Sequence, residues 1–113
     1  MSRVCVCGGR DYNDYDALSQ RLDSLKITEI IHGACSGADS LAQRYGEERG
    51  IPTHSIPANW SKLGRAAGPI RNANLLNLNP DVVVAFPGGK GTNNMIKQAE
   101  AKQIKVLRVM NYE

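Results

Sequence analysis

Long apolar runs, paired cysteine motifs and clusters of aromatic residues are all missing from this 113-residue sequence, and each absence removes a class of function. No stretch approaches the roughly 18 apolar residues that a membrane helix needs, so no membrane span is expected. The three cysteines are odd in number and show no CxxC spacing. With no leader-like N-terminus, they point to a reducing cytoplasm rather than a secreted, disulfide-stapled chain. Aromatics are confined to one tryptophan, one phenylalanine and four tyrosines, too few for a base-stacking platform along single-stranded nucleic acid. Acidic residues vanish between Glu48 and Asp81, a stretch that contains Arg49, Lys62, Arg65 and Arg71. The overall charge of +3 therefore divides unevenly, with eight acids and five bases in residues 1–48 against three acids and nine bases in 49–113. That asymmetry favours an anionic ligand. Repeats, linkers and low-complexity segments are absent too, and one domain over residues 1–113 is expected.

What the sequence has is alternation and eleven glycines. Short β-branched runs at residues 3–8, 28–33, 53–56, 81–86 and 104–109 read as strands. Amphipathic stretches at 14–25, 38–49, 65–76 and 92–102 read as helices. Asn13 or Asp14 offers an N-cap, and Gly50 with Pro52 forms a stop signal after the second helix. Residues 58–64 read as an irregular loop, and Gly68-Pro69 as a break or delay in the helix that follows. The run DVVVAF at 81–86 has the unbroken apolarity of a central strand covered on both faces, and 104–109 alternates like an edge. The order βαβαβαβαβ predicts an α/β fold, a Rossmann-like three-layer sandwich with a mostly parallel five-stranded sheet.

In such a sheet ligands bind beyond the carboxyl ends of the strands. Seven of the glycines fall in turns that belong there: Gly8-Gly9-Arg10-Asp11, Gly33 to Asp39, and Pro87-Gly88-Gly89-Lys90-Gly91-Thr92. Missing side chains let backbone amides approach a ligand, and helix N-termini attract anions. The last turn has the equipment of a phosphate cradle. It is not a Walker A loop, because Gly91-Thr92 follows Lys90 where that motif ends in GK[ST]. No GxGxxG follows the first strand either, so neither magnesium-dependent triphosphate hydrolysis nor ordinary dinucleotide binding has its fingerprint. No cofactor is expected. Cys5, Cys7, Cys35, His32 and His54 lack zinc-site spacing, and Ser36 with His32 lacks the GxSxG elbow of serine hydrolases, so metal binding and serine catalysis are set aside. His32 at a strand end reads as a hydrogen-bonded structural group.

Four ordered motifs carry a family resemblance. Gly9-Arg10-Asp11, then His32-Gly33-Ala34-x-x-Gly37-Ala38-Asp39, then Ala58-Asn59-Trp60 with Gly64 and Ala67-Gly68-Pro69-Ile70-Arg71-Asn72, then Ala85-Phe86-Pro87-Gly88-Gly89-x-Gly91-Thr92 resemble the YspA-related branch of the SLOG superfamily. That superfamily also holds the DprA/Smf proteins and the "lonely guy" phosphoribohydrolases, formerly called lysine decarboxylase-like. The resemblance implies a Rossmann-like domain that binds a nucleotide or a nucleotide-derived ligand such as AMP, ADP-ribose or NAD, and self-association as a homodimer. In the phosphoribohydrolases the last motif is PGGxGTxxE, and its glutamate serves N-glycosidic cleavage. Met95 stands at that position here. Methionine can neither stabilise an oxocarbenium-like centre nor activate water. Asp39 and Asp11 are the substitute carboxylates that such a reaction would need.

The expected ligand contacts are Gly9, Arg10, Gly33, Ser36, Gly37, Asp39, Trp60, Arg71, Asn72, Pro87, Gly88, Gly89, Gly91 and Thr92. Arg71 corresponds to an arginine near the nucleotide in the related enzymes, and its guanidinium fork suits a phosphate or, in the bland alternative, a surface acid. Arg10 would reach the same phosphate or form a turn salt bridge. Asp39 would accept ribose hydroxyls or complement the dipole of its helix. Ser36 would cap that helix, meet a phosphate, or both. Trp60 would stack on a base or pack against a helix or a partner subunit. The leading function is a sensor or sequestering protein for a nucleotide; the alternatives are a nucleotide N-glycosidase and DprA-like binding of single-stranded DNA.

Overall fold

A computed structural model describes residues 2–109. Its elements run β1 (Ser2–Cys7), α1 (Tyr15–Asp23), β2 (Ile27–His32), α2 (Ala38–Arg49), β3 (Thr53–Ser55), α3 (Trp60–Leu63), a 3₁₀ turn (Gly64–Ala66), α4 (Ala67–Leu76), β4 (Val82–Ala85), α5 (Lys90–Ala101) and β5 (Lys105–Arg108). The five strands form one parallel sheet in the order β3-β2-β1-β4-β5. The α/β, Rossmann-like sandwich expected from the sequence is the fold observed.

Strand periodicity divides the core into two layers. Val4, Val6, Ile30, Val82 and Val84 face Leu18 and Leu22 of α1 and Ala38, Ala42 and Tyr45 of α2. Cys5, Cys7, Ile31, Val83 and Ala85 face Leu75 and Leu76 of α4 and Met95, Ile96 and Ala99 of α5. Because successive strand residues point to opposite faces, a strand covered on both sides must be apolar, as Val4–Cys7 of β1 and all of β4 are, and each of those residues is buried. β1 takes the middle of the sheet with β4 beside it, and β5 is an edge, exposed at both ends.

Local signals explain most boundaries. Asp14 caps α1 by accepting from the Ala17 amide at 3.0 Å. Gly50 closes α2 in the left-handed conformation, φ 67°, where glycine carries no Cβ penalty. Three sequence expectations need correction. Residues 58–64 are not an irregular loop: Asn59 accepts from the Lys62 amide at 3.2 Å and starts the short helix α3. Gly68-Pro69 does not break α4, because both lie in its first turn, where the missing proline N–H has no helical partner to lose; the α-helix does start late, at Ala67 after the 3₁₀ turn rather than at Arg65. The last helix begins at Lys90 rather than Thr92, so Gly91 lies inside its first turn.

The chain leaves β1 for β2 on one side and returns to β4 on the other. Loops leaving adjacent strands with opposite onward directions open a crevice at the carboxyl ends of β1 and β4.

Candidate functional site

Three loops meet at that crevice and are tied to one another through their backbones. The Gly9 amide donates to the Pro87 carbonyl at 2.8 Å, and the Gly9 carbonyl accepts from Ala38 at 3.1 Å and Tyr12 at 3.2 Å. Ala38 is the first residue of α2, so the β1 loop itself caps that helix. The approach is close enough to dictate Gly37. Its φ is 76°, and a side chain there would overlap the Gly9 carbonyl. Ser36, expected to cap α2, does not: Gly37 is the N-cap, and Ser36 Oγ donates to the Arg10 carbonyl at 3.3 Å.

The amides of residues 88–92, at the turn into α5, find no acceptor among the described residues. The first α-helical bond is made by Asn93, whose amide donates to Gly89 at 3.0 Å. Thr92 is buried, and its hydroxyl has no hydrogen-bond partner among the described residues. These donors, the positive end of a twelve-residue helix, are an anion-binding arrangement.

Opposite them lies a polar network that positions Arg71. Its Nη1 donates to the Gly33 carbonyl at 2.6 Å and its Nε to Asn72 Oδ1 at 2.9 Å. Asn72, buried, donates onward to Asn94 Oδ1 at 3.1 Å and to the Gly91 carbonyl at 3.3 Å. Asn94 also accepts from Gln98 at 2.7 Å. The arginine is thus fixed between the β2 loop and the start of α5, leaving Nη2 without a partner among the described residues. Asn72 acts through this scaffold, since its own polar atoms are occupied.

Asp39, in the first turn of α2, holds the β2 loop from below. Its Oδ2 accepts from the amides of Gly33 and Cys35, each at 3.2 Å. Burial raises its pKa above the ordinary value of 3.8, opposed by those amides and by the charge of Arg71. His32 is structural, as its strand-end position implies. Its Nδ1 accepts from the Ala34 amide at 3.0 Å, so Nε2 carries the hydrogen and donates to Gln43 at 2.6 Å.

These groups surround a cavity of about 500 Å³. Of the expected contacts, Gly9, Arg10, Gly33, Asp39, Trp60, Arg71, Asn72, Gly89, Gly91 and Thr92 line it. Arg10 sits over the Trp60 ring, 5.4 Å from its centroid, and the tip of that ring rests against Gly68 of α4. The two residues close one rim of the cavity. Ser36 and Gly37 stay outside, buttressing the β1 loop. Pro87, Gly88 and Asp11 instead border a shallower hollow on the far side of Gly9 and Gly89. Asp11 is thereby separated from the cavity where Asp39 is the sole lining carboxylate among the described residues.

Sequence reasoning missed Arg65, Lys90 and Asn94, which also line the cavity. Arg65 lies in the acid-free stretch and Lys90 in the glycine turn, so both had a signal. Asn94 had none, because its role depends on contact with α4. Arg10, Arg65, Arg71 and Lys90 together give four cations, and none lies within ion-pair distance of a carboxylate among the described residues. Cations left unpaired around a concavity favour a polyanionic ligand.

Met95 is 1% exposed, packed in the α4–α5 core layer and presented to the cavity floor. The floor under the α5 turn is therefore apolar. Cys5 is buried beneath it and Cys7, largely buried, reaches the cavity lining; burial pushes the Cys7 thiol up to about 12 and raises Cys5 as well. Cys35 is partly exposed at the cavity wall. No group of metal-ligating side chains assembles among the described residues, and no helix there is long and apolar enough to cross a membrane.

A family model described as the YspA, cpYpsA-related SLOG family matches residues 2–63, which span β1 to α3 and include the first two glycine loops. The Gene 61 protein of Mycobacterium phage D29 is 30% identical over 119 residues, covering 95% of each chain. With the family model matching more than half of the chain and a relative aligned along almost all of it, the chain belongs to the YspA, cpYpsA-related SLOG family.

Proposed function

We propose that the cavity binds a nucleotide or nucleotide-derived ligand such as AMP, ADP-ribose or NAD, and that the protein acts as a sensor or sequestering protein for it in the cytoplasm. Membership of the SLOG family supports a nucleotide-related small molecule at a general level. The observation that carries the finer reading is the run of amides at residues 89–92 without an acceptor among the described residues, at a cavity also lined by four cations without a carboxylate partner there. Phosphate satisfies both sets at once. Trp60, 46% exposed at the rim, offers a face for a base. A thermal-shift screen with AMP, ADP-ribose, cyclic ADP-ribose and NAD tests the proposal. Stabilisation by at least one is expected; no stabilisation by any at millimolar concentration overturns it.

Turnover is the second reading, and the position of Asp39 is what favours it. N-glycosidic cleavage requires a carboxylate in the cavity; Met95 supplies none, whereas Asp39 lines the wall. Release of free base from AMP or NAD, abolished by Asp39→Asn, would establish it. Self-association completes the proposal: Leu63 and Ile70 stand exposed on α3 and α4 beside Trp60, and sedimentation analysis of the purified chain decides between monomer and dimer.

A further inference from the structure

The cavity is rich in donors and cations, and one side chain in it has the opposite character. Asp39 is only 7% exposed. Its Oδ2 is occupied by the Gly33 and Cys35 amides, but Oδ1 accepts from no group among the described residues. No lysine, arginine or histidine nitrogen there lies within ion-pair distance of it. Oδ1 is not enclosed by protein: Asp39 lines the cavity, so this oxygen is an unoccupied acceptor that a donor on a ligand can reach. An ionised carboxylate can only accept, and it repels phosphate. Whatever satisfies Oδ1 must be a hydrogen-bond donor on an otherwise anionic ligand.

Position narrows the choice of donor. Anion-binding amides mark the α5 end of the cavity, and Trp60 marks its exposed rim. Asp39 is nine-tenths buried and approaches from α2, beneath the β2 loop. In a nucleoside 5′-phosphate the group between the base and the phosphate is the sugar, whose vicinal hydroxyls are donors. We infer that Asp39 Oδ1 accepts from the ribose hydroxyls, making this a site selective for ribonucleotides over deoxyribonucleotides. The inference rests on the nucleotide-binding reading above and adds the determinant of sugar recognition.

Isothermal titration of the full chain with AMP, 2′-deoxy-AMP and 3′-deoxy-AMP tests it, repeated with Asp39→Asn. At least one deoxy analogue should bind the unmodified protein about tenfold or more weakly than AMP, because a site built around a ligand hydroxyl strongly rejects the analogue lacking it. Asp39→Asn keeps an oxygen for the two loop amides and replaces the free acceptor, so it should shrink that gap. Equal affinity for all three nucleotides overturns the role of Asp39 while leaving nucleotide binding intact. A gap unchanged in Asp39→Asn overturns it too; where AMP does not bind, ADP-ribose and its deoxy analogues take its place in the series, and failure of AMP, ADP-ribose and NAD alike overturns both readings. Should Asp39→Asn not fold, the analogue series on the unmodified protein decides alone.

Discussion

Arg71 Nη1 donates to the carbonyl of Gly33 across 38 residues of sequence, and a side chain at position 33 would overlap that same guanidinium. The bond orients the arginine toward the cavity, and the missing Cβ makes room for it. Neither residue does its work without the other.

Replacing Arg71 therefore tests the phosphate site most directly. Arg71→Ala should weaken binding of AMP or ADP-ribose about 10- to 100-fold, since a charge-assisted hydrogen bond contributes roughly 1.5–3 kcal/mol. Arg71→Lys should not restore affinity, because a point charge cannot bond Gly33, Asn72 and a phosphate through one rigid fork. Titration calorimetry measures both. Gly33→Ala should resemble Arg71→Ala in affinity, and wild-type affinity in Gly33→Ala would show that the guanidinium need not sit where it does.

Gly91 separates ligand binding from folding. It lies in the first turn of α5, and a methyl group added there meets nothing within 4 Å. Alanine is the better helix former by up to about 1 kcal/mol, so Gly91→Ala should leave the melting temperature unchanged or raise it. The same methyl group projects beside unpaired amides at the cavity edge. Affinity for AMP should fall by at least about tenfold; an unaltered affinity would place the ligand elsewhere.

The pH dependence of stability carries the sign of Asp39. Burial raises its pKa, so between the ordinary value of 3.8 and the higher folded value the native state binds more protons than the unfolded chain. Stability contributed by the neutral form is lost as pH rises through that window. Asp23, Glu29 and Glu48 act in the opposite sense, their pKa values lowered chiefly by hydrogen bonds from Tyr45, His54 and Tyr15 respectively. Their contribution is present above the unfolded values and disappears as pH falls through the folded ones. Asp39→Asn removes only the first effect. The melting temperature of the variant, minus that of the unmodified protein, should increase as pH rises from about the ordinary value of 3.8 through the raised folded value and then level off; a flat difference contradicts the burial of a charged group.

Much of this was legible in the sequence where the signal was local. The bounds of α2 coincide with the expected 38–49 because Gly50 and Pro52 stop the helix chemically. β4 was legible because a strand covered on both faces has no polar alternation to obscure it. The four-residue α3 was hidden, since one turn is too short to show a periodicity and only Asn59 announces it. Ser36 misled for a different reason. Serine is a common cap, yet the Gly9 carbonyl arrives from another strand and occupies that role. The pairing of Arg71 with Gly33 and the separation of Asp11 from the main cavity were equally invisible, because both are set by how loops from different strands cross.

The three cysteines supply the last test, since they sample depth below the cavity. Cys5 and Cys7 alternate with Val4 and Val6 along β1 and lie under the α4–α5 layer, where burial holds their thiols protonated. A protonated, enclosed thiol is a poor nucleophile. Cys35 is partly exposed in the cavity wall, its sulfur 3.5 Å from Arg71 Nη1. A thiol-reactive disulfide reagent should accordingly modify one cysteine in the native protein and all three in denaturant. Because Arg71 links that thiol to the proposed phosphate position, saturating AMP or ADP-ribose should slow the native reaction about tenfold or more. Rapid labelling of Cys5, which is fully enclosed, would mean that the sheet opens under native conditions. Labelling of Cys35 at an undiminished rate in a demonstrated complex would place the ligand away from the β2 loop, and with it away from both Arg71 and Asp39.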